Sequence, residues 1–403
     1  MIRNIFFYLS IVSLALNFEC QDNVTDPPPP KPPGYQEEIY WPSLADSPWP
    51  INHGDPQSTG RSKYVGPKKR ILAKIVETNE LQSGIVVGVD STIYCTSYNL
   101  GANIDGLDAF YPDGTLKWKF LAQRCMTTPI VSQDGTIYFI DAGRLFAINP
   151  DGTKKWDYQI TDAFPSRALT IGADGTLYFL SGVVNLVNLN AVNPDGTFKW
   201  SLHDSRFYPG NSIDLIFSND AKTIYTVGRD AAVIAVDIES QTVKWYFEKE
   251  PEGLLSPIVD SDGNIYTYAY SEPGQVSFYS LKDDGTIRWE YRTNQDLSIY
   301  YEWTIDKNGN VYFASDTLYS LDYSGKLRWK SPLGELNDCG LVCDSEGNVF
   351  VGIGGNKVRA VDNSGITLWE VDVPWGGFST SPALLPGKLL LPSNNTRDFF
   401  VIE

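Results

Sequence analysis

The chain has 403 residues, with 49 Asp and Glu against 32 Lys and Arg, for a formal net charge of -17. That balance repels a phosphate backbone, and the longest basic run, Lys68-Lys69-Arg70, is too short to reverse it, so nucleic acid is excluded as a partner. No long window carries a 3.6-residue apolar period, and 13% of the residues are aromatic, which excludes a helical fold and points to an all-β one.

Residues 1–20 read as an export signal: Arg3, an apolar stretch from Ile5 to Leu16, then a short polar approach to Cys20. Residues 21–47 are polar and proline-rich, with four prolines at 27–30, and are expected to form a disordered tether. A signal that ends at a cysteine and runs into such a tether resembles a bacterial lipoprotein, although Glu19 stands where that processing site usually has a small residue. The resemblance implies lipidation of Cys20. The only membrane attachment would then be this lipid anchor, and the protein would be held at the outer membrane or released to the periplasm or medium.

From residue 48 to 403 the chain reads as one domain. A lone strand is expected at Ile71 to Val76, ahead of the repeats. The clearest repeat unit is Thr128 to Trp156, in which short β-branched and apolar runs are separated by Asp134-Gly135, Ala142-Gly143 and Asp151-Gly152. Asp-Gly between such runs marks a tight hairpin, because glycine accepts the positive φ the turn requires. Each unit is therefore a four-stranded antiparallel meander, with strands a to d running outward from a centre.

Units close on Trp118, Trp156, Trp200, Trp245, Trp289, Trp329 and Trp369, at a spacing of about 42 residues, the period of propeller blades. Inner strands begin near Gly84, Thr128, Ala168, Asp214, Ser256, Glu302, Gly340 and Thr380, which makes eight. The last unit lacks a fourth strand. Pairing Ile71 to Val76 with the C-terminal three would complete it, so the expected fold is a single, monomeric, eight-bladed β-propeller with no open seam.

The segments AINPDGTKKW (Ala147 to Trp156), AFYPDGTLKW (Ala109 to Trp118) and AVNPDGTFKW (Ala191 to Trp200) resemble the tryptophan-docking repeat of the pyrroloquinoline-quinone (PQQ)-like propellers. Pro48 to Pro67, PWPINHGDPQSTGRSKYVGP, is similar to a leader found before the first blade in exported members of that group. The layout also resembles the propeller lipoprotein of the outer-membrane barrel-assembly machinery. In the physical reading the seven tryptophans are inter-blade staples, since each can bury a large ring on its neighbour.

The quinone enzymes of the resemblance imply a disulfide between consecutive cysteines, calcium ligands and a longer chain. Here Cys20, Cys95, Cys125, Cys339 and Cys343 include no consecutive pair, so no cofactor is expected. Cys339 and Cys343 lie roughly 13 Å apart along one strand, too far to bridge, and the four body cysteines read as small buried side chains. With only His53 and His203, a histidine-bearing metal cluster or a triad is excluded on numbers.

Two carboxylates, Asp214 and Glu302, are expected on inner strands at the channel. The loops joining strand d to the next strand a carry Arg124, Arg167, Arg206, Tyr208, Tyr301, Trp303 and Trp375. Arginine and aromatic residues dominate binding hot spots, so this face is the expected binding surface. The reading is an exported, non-catalytic platform for an envelope protein or a glycan. The competing class is an enzyme at the channel mouth, either a PQQ-dependent oxidoreductase or a carbohydrate-active protein.

Overall fold

The computed structural model describes residues 31–403 apart from short stretches at 79–80, 98–104, 126, 162–164, 184–185, 209–213, 230–231, 250–256, 273–274, 294–302, 335–339, 355, 375–380 and 394–397. Its strands form eight four-stranded antiparallel sheets, seven of them built from consecutive strands. Blade two shows the pattern: Ile130–Val131, Ile137–Ile140, Arg144–Ile148 and Lys154–Gln159. Its strands b and c are almost wholly buried because they lie between neighbouring blades, while the outer strand is only partly covered.

The eighth blade is completed as the sequence predicts. Leu72–Glu77 pairs antiparallel with Asp398–Ile402, in a sheet with Lys388–Pro392 and Ala383–Leu385. Ile71 and Glu403 exchange two backbone hydrogen bonds of 3.1 Å. Lys69 and Lys388 flank the Glu403 carboxylate at 2.6 and 2.9 Å, and these hydrogen-bonded ammonium groups hold its pKa down at about 2.

The tryptophans act as staples through a specific docking. Five of the seven indole N–H groups donate to a carbonyl in the outer turn of the next blade: Trp118 to Pro150 (3.0 Å), Trp156 to Pro194 (3.0 Å), Trp245 to Asp283 (2.9 Å), Trp289 to Tyr323 (3.1 Å) and Trp329 to Asn363 (2.9 Å). Gly152, with φ 87°, shows why the turn needs glycine twice over: a Cβ there would strain the backbone and stand 2.8 Å from the Trp118 ring. At the seam Gly114 meets Val76 and Lys74 instead of an indole, so aliphatic packing replaces the staple.

The lysine before the tryptophan adds a second tie. Lys117 reaches Asp90 (3.0 Å) and Thr92 (2.9 Å) in its own blade's inner turn, and Lys155 and Lys199 repeat this with Asp134/Thr136 and Asp174/Thr176. Surface pairs of this kind are individually worth roughly 0–1 kcal/mol.

One boundary differs from the sequence reading. The compact unit begins at Pro33, so residues 33–47, grouped with the tether by composition, are packed chain. Trp41, Leu44 and Ala45 are buried, and the Trp41 indole donates to the Ile171 carbonyl at 2.9 Å and packs 5.2 Å from Phe217. The segment shows no strand period because it bonds to the ends of many strands in turn instead of lying in one sheet.

Candidate site at the capped channel mouth

At one mouth of the central channel six inner strands, and the turn after the inner strand of blade eight, carry backbone N–H groups that their own sheets leave unpaired. The leader supplies the acceptors. Val87 donates to Trp49 O (2.8 Å), Val131 to Pro50 O (2.8 Å), Phe217 to Pro56 O (2.8 Å), Val259 to Gln57 O (3.0 Å), Ile305 to Thr59 O (3.2 Å), Cys343 to Gly60 O (2.9 Å) and Gly387 to Val65 O (2.9 Å). The Trp41 and Ser43 side chains complete the circuit on Ile171 and Gly172 of blade three. Residues 41–65 thus touch all eight blades and close this mouth.

The sequence HGDPQSTG makes that path local and tight. His53 and Ser58 adopt positive φ of 56° and 57°, and Gly54 and Gly60 do so at no steric cost. Asp55 braces the loop: one oxygen accepts the N–H groups of Gln57 (3.1 Å) and Thr59 (3.0 Å), and the other accepts the Thr59 hydroxyl. Burial pushes its pKa up, and the Thr59 hydrogen bonds and the nearby Arg61 and His53 offset only part of this. His53 itself is buried, with Nδ1 3.2 Å from Ser58 O.

Outside this loop, residues 36–41 cross the mouth as a strap. Gln36 N–H donates to Lys307 O (2.8 Å), Ser261 N–H to Gln36 Oε1 (2.8 Å) and Glu37 N–H to Ser261 Oγ (2.9 Å). Between strap and loop lies a cavity of about 310 Å³. It reaches from Gln133 of blade two to Val259 and Ser261 of blade five, with Trp41, Pro50 and Pro56 on its apolar side. Glu37, Glu38, Asp46 and Asp55 line it on the acidic side against Arg61 and Lys63. Burial pulls on the Lys63 ammonium, but Tyr64, Asp46 and Glu38 outweigh it and leave its pKa raised.

The sequence-predicted residues do not assemble into one site. Asp214 is at the channel, half-buried, with Asn52 Nδ2 3.5 Å away, and the void beside it holds only about 20 Å³. Glu302, Tyr301 and Trp375 lie outside the described residues, as does the side chain of Arg167. Arg124 is exposed between blades one and two. Arg206 and Tyr208 sit together between blades three and four, the Arg206 guanidinium lying 3.2 Å over the Tyr246 ring and Tyr208 standing 45% exposed.

Trp303 corrects the expected binding face. It is 1% exposed, edge-on to Phe278 at 5.1 Å and 5.7 Å from Phe313, so it belongs to the core between blades five and six. Cys95, Cys125 and Cys343 are free and buried, and burial raises all three thiol pKa values; Cys339 lies outside the described residues. No group of three His, Cys, Asp or Glu side chains is placed to hold a metal among the described residues.

A PQQ group is a fused three-ring quinone bearing three carboxylates. The void beside Asp214 does not fit it: it is water-sized, and the carboxylates of Asp55 and Asp214 in its lining oppose three more. The residues that sequence reasoning missed are those of the leader and strap. Their signal is present in the apolar residues Trp41 and Leu44 inside the stretch read as a tether.

No protein-family model matches the chain, and no curated protein sequence does. Solved structures do match. The quinohemoprotein alcohol dehydrogenase from Comamonas testosteroni aligns with a TM-score of 0.64 at 13% identity, over 88% of this chain and 80% of that one. A europium-containing methanol dehydrogenase gives 0.64 at 12% identity over 86% and 90%, and BamB from Moraxella catarrhalis gives 0.60 at 17% identity over 82% and 96%. At these identities the likeness is one of fold: the chain is an all-β, eight-bladed propeller of the architecture shared by the quinoprotein dehydrogenases and BamB.

Proposed function

We propose that the protein is an exported, non-catalytic propeller that serves as a binding platform in the cell envelope, held there by a lipid on Cys20 and engaging a protein or glycan partner. The observation that carries this reading is the closure of the channel mouth by residues 41–65. Six inner strands and the Gly387 turn of blade eight donate N–H groups to that segment, so opening the mouth for a cofactor would strand those donors at roughly 1–3 kcal/mol apiece. The carboxyl of raised pKa beside the cavity, Asp55, has both oxygens occupied by Gln57 and Thr59 and serves the loop, not a reaction. The rigid ring leaves the d-to-a face, with Arg124, Arg206 and Tyr208, for a partner.

The fold shared with quinoprotein dehydrogenases favours the competing oxidoreductase reading, so the deciding experiment opposes the two. Calorimetric titration of the purified protein with PQQ and calcium is expected to show no saturable heat. Saturable quinone binding that disappears in the Asp214→Asn/Glu302→Gln variant would overturn the platform in favour of the enzyme. In fractionated cells, Cys20→Ala is expected to move the protein from membranes to the soluble fraction; an unchanged distribution removes the anchor from the reading.

A further inference from the structure

We propose that the outer strand of blade eight is a docking edge for an extended, acidic segment of a partner protein, which adds to it as a fifth strand. This edge lies on the outer wall of the ring, apart from the d-to-a loops, and the inference stands whether or not those loops bind a partner.

Lys68 to Ile75 reads KKRILAKI, four basic residues in eight within a chain of net charge -17. Seven of the eight are exposed, and Leu72 is half-buried. The strand Leu72–Glu77 is paired on one side only, with Asp398–Ile402. Ile71 exchanges both of its backbone hydrogen bonds with Glu403, so in the alternating antiparallel pattern the N–H and C=O of Leu72 point away from the sheet. An open edge of this kind is a template for a further strand.

All the outer strands have such an edge, but the register explains why the cations differ here. Lys74 stands opposite Val401, just past a bulge, as Trp156 stands opposite Ala147, so a lysine occupies the place of the staple. Arg70 occupies the place of the turn glycine, with a φ of 63°. On the regular strands Lys117, Lys155 and Lys199 are held by carboxylates of their own blades, and Lys68 and Lys69 are held by Glu346 and Glu403. Arg70 and Lys74 form no ion pair among the described residues. Asp113 of blade one feels the Lys74 charge, but its carboxylate is bonded to Thr115.

Charge complementarity selects the occupant. Beside the two unpaired cations stand Ile71, 49% exposed, and Ile75, 44% exposed. A strand that sets Asp or Glu against Arg70 and Lys74, and β-branched residues against the two isoleucines, matches both kinds of side chain. A second copy of the same strand would bring like charges together. An anionic bilayer would meet the acidic remainder of the surface, whereas a single strand meets only this edge.

The probe is a dye-labelled, end-blocked peptide, Glu-Val-Thr-Val-Glu-Val-Thr-Glu, titrated with the whole chain by fluorescence anisotropy. Saturable binding that weakens as salt is raised is expected. Arg70→Asn, which keeps a residue tolerant of positive φ, combined with Lys74→Gln should weaken binding by roughly three- to tenfold, the size expected for two exposed ion pairs, with the melting temperature little changed. The same peptide N-methylated at every bond keeps its charges but has no strand edge to offer, and it should not bind. The proposal fails if the acidic peptide does not bind, if a version with lysine in place of glutamate or the N-methylated version binds as tightly, or if the double variant binds it unchanged. Sedimentation of the protein with phosphatidylglycerol vesicles, without peptide binding, would overturn the proposal and assign the edge to a lipid surface.

Discussion

Deleting residues 1–78 is expected to abolish the cooperative thermal melt, whereas deleting residues 1–32 leaves the melting temperature where it was. The longer deletion removes the strand Leu72–Glu77, which opens the eighth blade beside Asp398–Ile402, and with it the segment that ties the inner strands together. It also removes buried Trp41, Leu44, Trp49, Ile51 and Val76. At about 2 kcal/mol for each buried side chain the loss is on the order of 10 kcal/mol. A whole domain is stable by only about 5–15 kcal/mol, so the ring should not persist as a cooperative unit. Calorimetric or circular-dichroism melts of the two truncations read the difference directly. A 79–403 fragment that melts cooperatively at the full-length temperature would disprove both the closure and the role assigned to the leader.

Trp303→Ala is expected to destabilise the protein by about 3–5 kcal/mol, the range for emptying a tryptophan site in a core. The ring is enclosed by Phe278, Phe313 and Tyr268, which cannot collapse into the void without moving two blades. Trp303→Phe should cost far less. It keeps most of the ring volume and removes an indole N–H that is buried without an acceptor among the described residues, a group that contributes nothing where it stands. Chemical denaturation of the two variants separates these outcomes. If alanine left stability unchanged, Trp303 would return to the surface and to the list of binding residues.

The repeat was legible because every part of it is local. An Asp-Gly turn such as Asp151-Gly152 and the tryptophan that ends its hairpin lie within one unit, and a staple such as Trp118 with Pro150 spans only one blade. The seam was legible for a similar reason: a spare strand at one end and a missing one at the other have a single closed solution, which the pairing of Leu72–Glu77 with Asp398–Ile402 realises. A basic residue precedes six of the seven tryptophans, lysine four times and arginine at 288 and 328, a periodicity that stands beside the one counted and that the turn pattern alone does not explain.

The site was less legible because it is assembled from positions far apart in the chain. Whether Trp303 or Tyr208 faces a partner depends on how deep each loop sits between two blades, and an aromatic residue looks the same in either place. The acidic pair Asp214 and Glu302 was inferred from register alone, and the structure adds that Asn52 of the leader abuts Asp214. Composition misassigned residues 33–47, because proline and polar side chains mark a tether only when nothing nearby needs their carbonyl groups.

By itself the sequence determined the all-β class, the eight blades, the staples and the closing strand, since these follow from turn chemistry and spacing along the chain. Only the tertiary structure decided that one channel mouth is shut by residues 41–65, that a cavity with Arg61 lies under the strap, and that Trp303 is core. The physical reason is that the acceptors of the leader match donors contributed one by one from blades roughly 40 residues apart, a correspondence that exists only once the ring has closed.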